Sequence, residues 1–137
     1  MAVAYNKFNA FQADKHNGVH NLSSDTLAVF LSNTAPSASD GVLADITEIS
    51  YTNCSSRTLT VSSSTQTSGT YKLVVDDLTL TASGGTVGPF RYVGIYNNTA
   101  SGDPLIAWYD NGSERTLADG ESVKIDFDDT NGVFQSS

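Results

Sequence analysis

Residues 88–110 read Gly-Pro-Phe-Arg-Tyr-Val-Gly-Ile-Tyr-Asn-Asn-Thr-Ala-Ser-Gly-Asp-Pro-Leu-Ile-Ala-Trp-Tyr-Asp, and this stretch holds the only tryptophan of the chain. Aromatic and β-branched side chains fit a pleated, half-buried surface, so the two apolar runs are predicted as strands. The Asn, Thr, Ser, Gly, Asp and Pro between them are turn formers. On the first run, Phe90, Tyr92, Gly94 and Tyr96 share one face, and Arg91, Val93 and Ile95 the other. Gly94 leaves a gap among large neighbours, which Trp108 is expected to fill. Such a pair of strands cannot bury both faces alone, and an all-β scaffold follows.

The remainder extends that pattern. Thr26–Ser32 is almost wholly apolar, the signature of a strand covered on both faces. Arg57–Thr65 is predicted as a polar strand with Leu59 and Val61 inward, and Gln66–Gly69 as a turn into Tyr71–Val75. Leu78, Leu80 and Ala82 resume the alternation on the opposite parity, with Asp76-Asp77 at the break. A parity switch of that kind marks a bulge or a strand passing from one sheet to another. Asp110-Asn-Gly-Ser113 is predicted as a turn, and Glu121–Asp128 as a strand with Val123, Ile125 and Phe127 inward. Val42–Ile49 is expected to form one or two helical turns or an irregular edge. With roughly seven or eight strands and short turns, the predicted fold is a single-domain β-sandwich of jelly-roll type.

One helix is predicted, near the start. Asn6 is placed at its cap, Phe8 and Phe11 on one apolar stripe that docks on the sheet, Lys15 and His16 in its last turn, and Gly18 at its stop. Residues 1–20 are accordingly read as a helical arm and 21–137 as the sandwich. Deletion of residues 1–16 is expected to leave that sandwich folded.

The sequence carries a formal charge of −8, concentrated late: residues 101–137 hold eight acids against two bases. Such a surface repels phosphate backbones and anionic lipid, which argues against direct nucleic-acid or membrane binding. No segment approaches the roughly 20 apolar residues of a membrane span. The opening residues contain no apolar run of signal-peptide length, which predicts synthesis and folding in a cytoplasm. Cys54, the single cysteine, has no partner within the chain and is read as a small semi-buried residue.

Groups for chemistry are few. His16 and His20 stand four apart, but Gly18 interrupts the helix that metal ligation at that spacing would require. Asp126, Asp128 and Thr130 resemble half of a calcium loop. Gly132 falls one residue late and no acid follows it, so a charged strand end with an Asx turn is the preferred reading. Asp76-Asp77 is read as an acidic guard on an edge strand. Tyr92, Tyr96, Trp108 and Tyr109 are candidates for a sugar-stacking platform, although aromatics at alternating positions more often form core. No metal, cofactor or catalytic residue is assigned, and the chain is expected not to be an enzyme.

Four stretches carry a resemblance: Tyr5-Asn-Lys-Phe-Asn-Ala-Phe11; Val19–Leu27 with the following Val-Phe-Leu-Ser-Asn-Thr-Ala-Pro36; Gly88–Val93 with Tyr96–Ala100; and Leu117–Glu121 with its strand to Phe127. Taken in order over nearly the whole chain, they resemble a family of small virion structural proteins of tailed bacteriophages. The resemblance implies a capsid cement or decoration protein that binds the major capsid protein on the capsid surface, as a dimer or trimer. A tail- or fibre-associated protein binding host glycans is the alternative. Under the first reading Tyr5, Phe8, Phe11, Asn33 and Pro36 are the expected contacts with the shell or with other copies, supplied by the arm and the Asn33–Gly41 loop.

Overall fold

The computed structural model describes residues 5–137 and is all-β with one short helix. Strands β1 (Asn6–Lys7), β2 (Leu27–Ser32), β6 (Val87–Asn97) and β7 (Leu105–Leu117) form an antiparallel sheet in the order β1-β7-β6-β2. A second sheet has the order β3-β4-β9, from Val61–Thr67, Thr70–Val75 and Phe134–Ser136. A third pairs β5 (Leu78–Thr81) with β8 (Ser122–Ile125). Side chains of β2, β6 and β7 meet those of β4, β5 and β9 in one buried cluster. That layering is what a sandwich requires. Three sheets of unequal size stand where the jelly-roll expectation anticipates two.

The aromatic hairpin is the centre of the fold. β6 pairs on one side with β2, Leu27 to Asn97 through Ser32 to Tyr92, and on the other with β7. Gly94 therefore lies between Phe30 and Trp108, its register partners on either flank. The gap at Gly94 is filled by Phe30, not Trp108: a Cβ built on Gly94 would overlap the Phe30 ring. Trp108 instead packs edge-to-face on Tyr92, with ring centroids 5.8 Å apart.

The turn predicted at Asp110–Ser113 occurs inside β7. Phe90 pairs with Arg115 and Tyr92 with Asp110, so residues 111–114 form an outward bulge opposite Arg91. Gly112 supplies the positive φ, and its N–H bonds to Asp110 Oδ1 at 2.8 Å. The turn chemistry is satisfied locally, while long-range pairing carries the strand onward.

All six residues of β2 are buried, as its composition predicts. Its outer edge is covered by an irregular stretch, through Ile49 N–H to Leu31 O, Val29 N–H to Arg57 O and Leu59 N–H to Leu27 O. Tyr51 Oη and Arg57 Nη1 add bonds to the β2 backbone at 2.9 and 2.6 Å. This requirement displaces the polar strand expected from Arg57: regular pairing with β4 begins only at Val61. The expected short helical segment is a 3-10 turn, Leu43–Asp45, tied by Asp45 Oδ2 to the N–H groups of Gly41 and Val42.

Ser68 and Gly69, both at positive φ, make the two-residue turn between β3 and β4. The parity switch at Asp76-Asp77 is a passage between sheets, since β4 pairs with β3 and β5 with β8. Asp77 accepts the Phe127 N–H at 2.9 Å and lies 3.2 Å from Lys124 Nζ. Its carboxylate thus fastens the chain after β8 to the chain before β5.

The helix α1 is Asn9–His16, and the expected cap does not form. Asn6 lies in β1 opposite Trp108, and extended Phe8 stands at the cap position without a side-chain bond. The free N–H of Asn9 bonds instead to Ala38 O at 2.8 Å, which docks the 33–41 loop on the helix start. Gly18 at φ +78 ends the helix as predicted.

Candidate functional site

The five residues expected to contact a partner divide by burial. Tyr5 is 41% exposed and Asn33 is exposed, with Asn33 Nδ2 donating to Glu114 Oε1 of the β7 bulge at 2.8 Å. Phe8 is 0% exposed, Phe11 is buried beside it and Pro36 is buried. Their side chains belong to the core or its lining and are closed to a partner. The stripe packs on the sheet as its spacing predicts and ties α1 into the core, so Phe8 and Phe11 cannot also serve as contacts with a shell or another copy.

Beyond the helix lies an open groove of about 560 Å³. Tyr71 and Phe134 line it from the β4-β9 sheet, and Lys15, His16, His20 and Leu22 from the helix side. Lys15 Nζ sits 5.5 Å from the Phe134 ring centroid and 5.6 Å from that of Phe11, so the ammonium stands over aromatic faces. Among the described residues, no acidic side chain lines the groove.

His20 is fixed by a buried amide. Asn97, fully buried, accepts the Thr99 and Ala100 N–H groups through Oδ1, so its Nδ2 must serve the other side. There it donates to Asp25 Oδ2 at 2.7 Å and meets His20 Nδ1 at 3.0 Å. His20 Nδ1 is therefore the acceptor, and the neutral ring carries its proton on Nε2. Burial lowers the His20 pKa below its ordinary value near 6.5, against the opposing pull of Asp14 and Asp25. Protonation would also set an N–H at Nδ1 against the amide donors of Asn97.

Because the folded pKa is depressed, the unfolded chain binds the proton first as pH falls through about 6.5. Thermal stability is expected to drop between about pH 7.5 and 5.5, above the range where carboxylates titrate. In His20→Gln that part of the profile should flatten. An unchanged slope in calorimetry would contradict the assignment.

The remaining candidates have structural employment. Asp128 accepts from the Thr130 and Asn131 N–H groups and from Asn131 Nδ2, which holds its pKa low and makes the Asx turn. Among the described residues, no cluster of three or more His, Cys, Asp or Glu side chains could hold a metal ion. Arg91 grips Asp110 through two bonds, 2.8 and 3.1 Å, and holds that carboxyl below the usual range. Burial raises the Cys54 thiol, in keeping with a packed, unreactive side chain. Of the aromatic quartet, Tyr96 is buried and Tyr109 packs on Phe127, while Tyr92 and Trp108 are partly buried. These two meet edge-to-face, not as the flat shelf a sugar ring stacks on. The cavity between β6, β7 and β8 measures about 100 Å³, well under the roughly 300 Å³ of the smallest usual ligand pockets.

Comparison with protein families, with curated proteins and with solved structures finds no match. The groove, assembled from residues far apart in the chain, had no warning in the sequence. The open edge of β3 is hinted at only by the charge-free run of residues 58–71.

Proposed function

We propose that this chain is a virion structural protein, a cement or decoration protein that binds the major capsid protein and stabilises the assembled phage head. It acts as a homo-oligomer, a dimer or trimer, and works by shape and not by catalysis. The observation carrying the reading is the use made of its polar groups. Asp25 and His20 engage Asn97, Asp45 the 3-10 turn, Asp77 the strand passage, Asp110 Arg91, and Asp128 its own turn. Each is held by another group of the fold, backbone or side chain, as a stiff block requires, while the resemblance of the four sequence stretches supplies the phage setting. Rigidity matters because weak contacts repeated over a shell add up only when the bridging body cannot flex. Shell symmetry favours a two- or three-fold assembly of such a body.

With Phe8, Phe11 and Pro36 buried, the contact surface rests on exposed Tyr5 and Asn33 and on the β7 bulge that Asn33 touches. Purified shells lacking the protein are expected to take it up at a copy number comparable with that of the capsid subunit. Glu114→Ala together with Asn33→Ala should lower occupancy in gel densitometry. A handful of copies per particle, with glycan-array binding lost in Trp108→Ala, would favour the fibre alternative instead.

A further inference from the structure

We propose that two copies of this chain associate through their β3 strands, joining the two β3-β4-β9 sheets edge to edge about a two-fold axis. This deepens the homo-oligomer part of the reading above by naming the contact.

The other strand edges among the described residues are short, covered, charged or bulged. Beyond the two residues that β1 covers, β7 is broken by the 111–114 bulge and carries Asp110, Glu114 and Arg115. β1 and β9 have two and three residues, β8 has four and carries Lys124, and β2 is covered by the 48–59 stretch. β5 is met on its outer side by Ser55, whose N–H bonds Thr81 O. β3 differs. It runs seven residues, Val-Ser-Ser-Ser-Thr-Gln-Thr, at the margin of its sheet, with no charge and no proline. An edge of that length and neutrality is what proteins ordinarily avoid unless it pairs.

The ladder shows which groups are unpaired. Across the two-residue turn, Thr67 and Thr70 form a hydrogen-bonded pair, and so by alternation do Thr65 and Lys72. The N–H and C=O of Ser64 and Gln66 therefore point away from β4. No described backbone bond reaches them.

The occupant follows from charge and symmetry. Each copy bears −8, so two copies repel except where a neutral surface meets its like, and residues 58–71 contain no ionisable group other than Tyr71. Antiparallel pairing centred on Thr65 lets Ser64 of each copy exchange two backbone bonds with Gln66 of the other. Thr65 then faces its symmetry mate, a favourable Thr–Thr pair. The contact is isologous and closes at two copies. The same edge could accept a strand from a different protein, an outcome the test separates.

Sedimentation velocity on the purified chain alone, up to roughly 0.1 mM, is expected to give a species of about twice the 14.5 kDa chain mass. Thr65→Asp, which places two carboxylates at the axis while facing Lys72 within its own sheet, should weaken association at least tenfold and leave the melting temperature near the parent's. Gln66→Pro removes an outward donor and should weaken association likewise, with some loss of stability because it also removes the Gln66 Oε1 acceptor of the Gly69 N–H in the turn. Mixing Thr65→Asp with Thr65→Lys should restore the double-mass species. A parent chain that stays monomeric throughout, or variants that remain dimeric, overturns the proposal. Should either variant fail to fold, amide exchange on the parent decides: Ser64 and Gln66 must be protected at high concentration and fast at low. Since no shell is present, a monomeric result leaves shell binding untouched, and a dimer without shell uptake removes the capsid reading alone.

Discussion

Phe8→Ala is expected to lower the stability of the folded chain by about 3–5 kcal/mol, the range for deleting a fully buried aromatic side chain. In a domain of this size that corresponds to a melting temperature roughly 10 °C lower or more. Phe8 is 0% exposed although it lies near the start of the chain, between a two-residue strand and an eight-residue helix. Neither element is stable alone, since so short a helix does not offset its own nucleation cost. They hold because Phe8 and Phe11 are set into the core and because β1 completes the β7 edge, Asn6 opposite Trp108 and Lys7 opposite Ala107. Removing residues 1–16 is thus expected to unfold the domain, not to release an arm from it. Thermal and urea unfolding of Phe8→Ala, beside Tyr5→Ala as an exposed control near the parent value, checks this. A melting temperature for Phe8→Ala within about 2 °C of the parent would mean that the N-terminal segment is a separable appendage after all.

What the sequence revealed depended on the range of the deciding interaction. The composition of β2 and the turn at Ser68-Gly69 are local signals, and both are realised. The crossing between sheets was legible at Asp76-Asp77 because a change of parity is a property of neighbouring residues. Errors arose where a distant element outvoted a local preference. Asp110–Ser113 has the residues of a turn, but Leu117 pairs with Val87, so the chain bulges and continues as strand. Asn6 is a good cap residue, yet the exposed β7 edge takes it as a strand partner. Residues 57–59 look like a strand and serve as a cover for β2, because that strand would otherwise leave buried backbone groups unpaired. Three of the five candidate contacts, Phe8, Phe11 and Pro36, failed because they are buried, while Tyr5 and Asn33 remain exposed. The apolar stripe of Phe8 and Phe11 docks on the sheet as its spacing predicts, and side chains spent on the core have no face left for a partner.

Gly94→Ala is expected to cost about 2–3 kcal/mol, at the upper end for overpacking, even though alanine favours a strand over glycine. Gly94 has no positive φ to protect; its role is space. It is buried mid-strand in β6, and a Cβ there would overlap Cε2 and Cζ of Phe30. Phe30 is itself 0% exposed and cannot swing away, being enclosed with Val29, Leu31 and the β6-β7 side chains. Either the ring leaves its rotamer or β2 and β6 draw apart along a register that runs from Leu27–Asn97 to Ser32–Tyr92. Because one ring causes the conflict, shrinking it should relieve the strain. Phe30→Leu in the Gly94→Ala background is expected to cost less than the two changes summed, with a coupling of at least about 1 kcal/mol. Trp108→Leu supplies the contrast: it removes the other aromatic flanking Gly94, which packs on Tyr92 and not over the glycine. Chemical denaturation of the single and double variants gives both couplings. Rescue by Trp108→Leu and none by Phe30→Leu would reverse the packing assigned to the centre of the sheet.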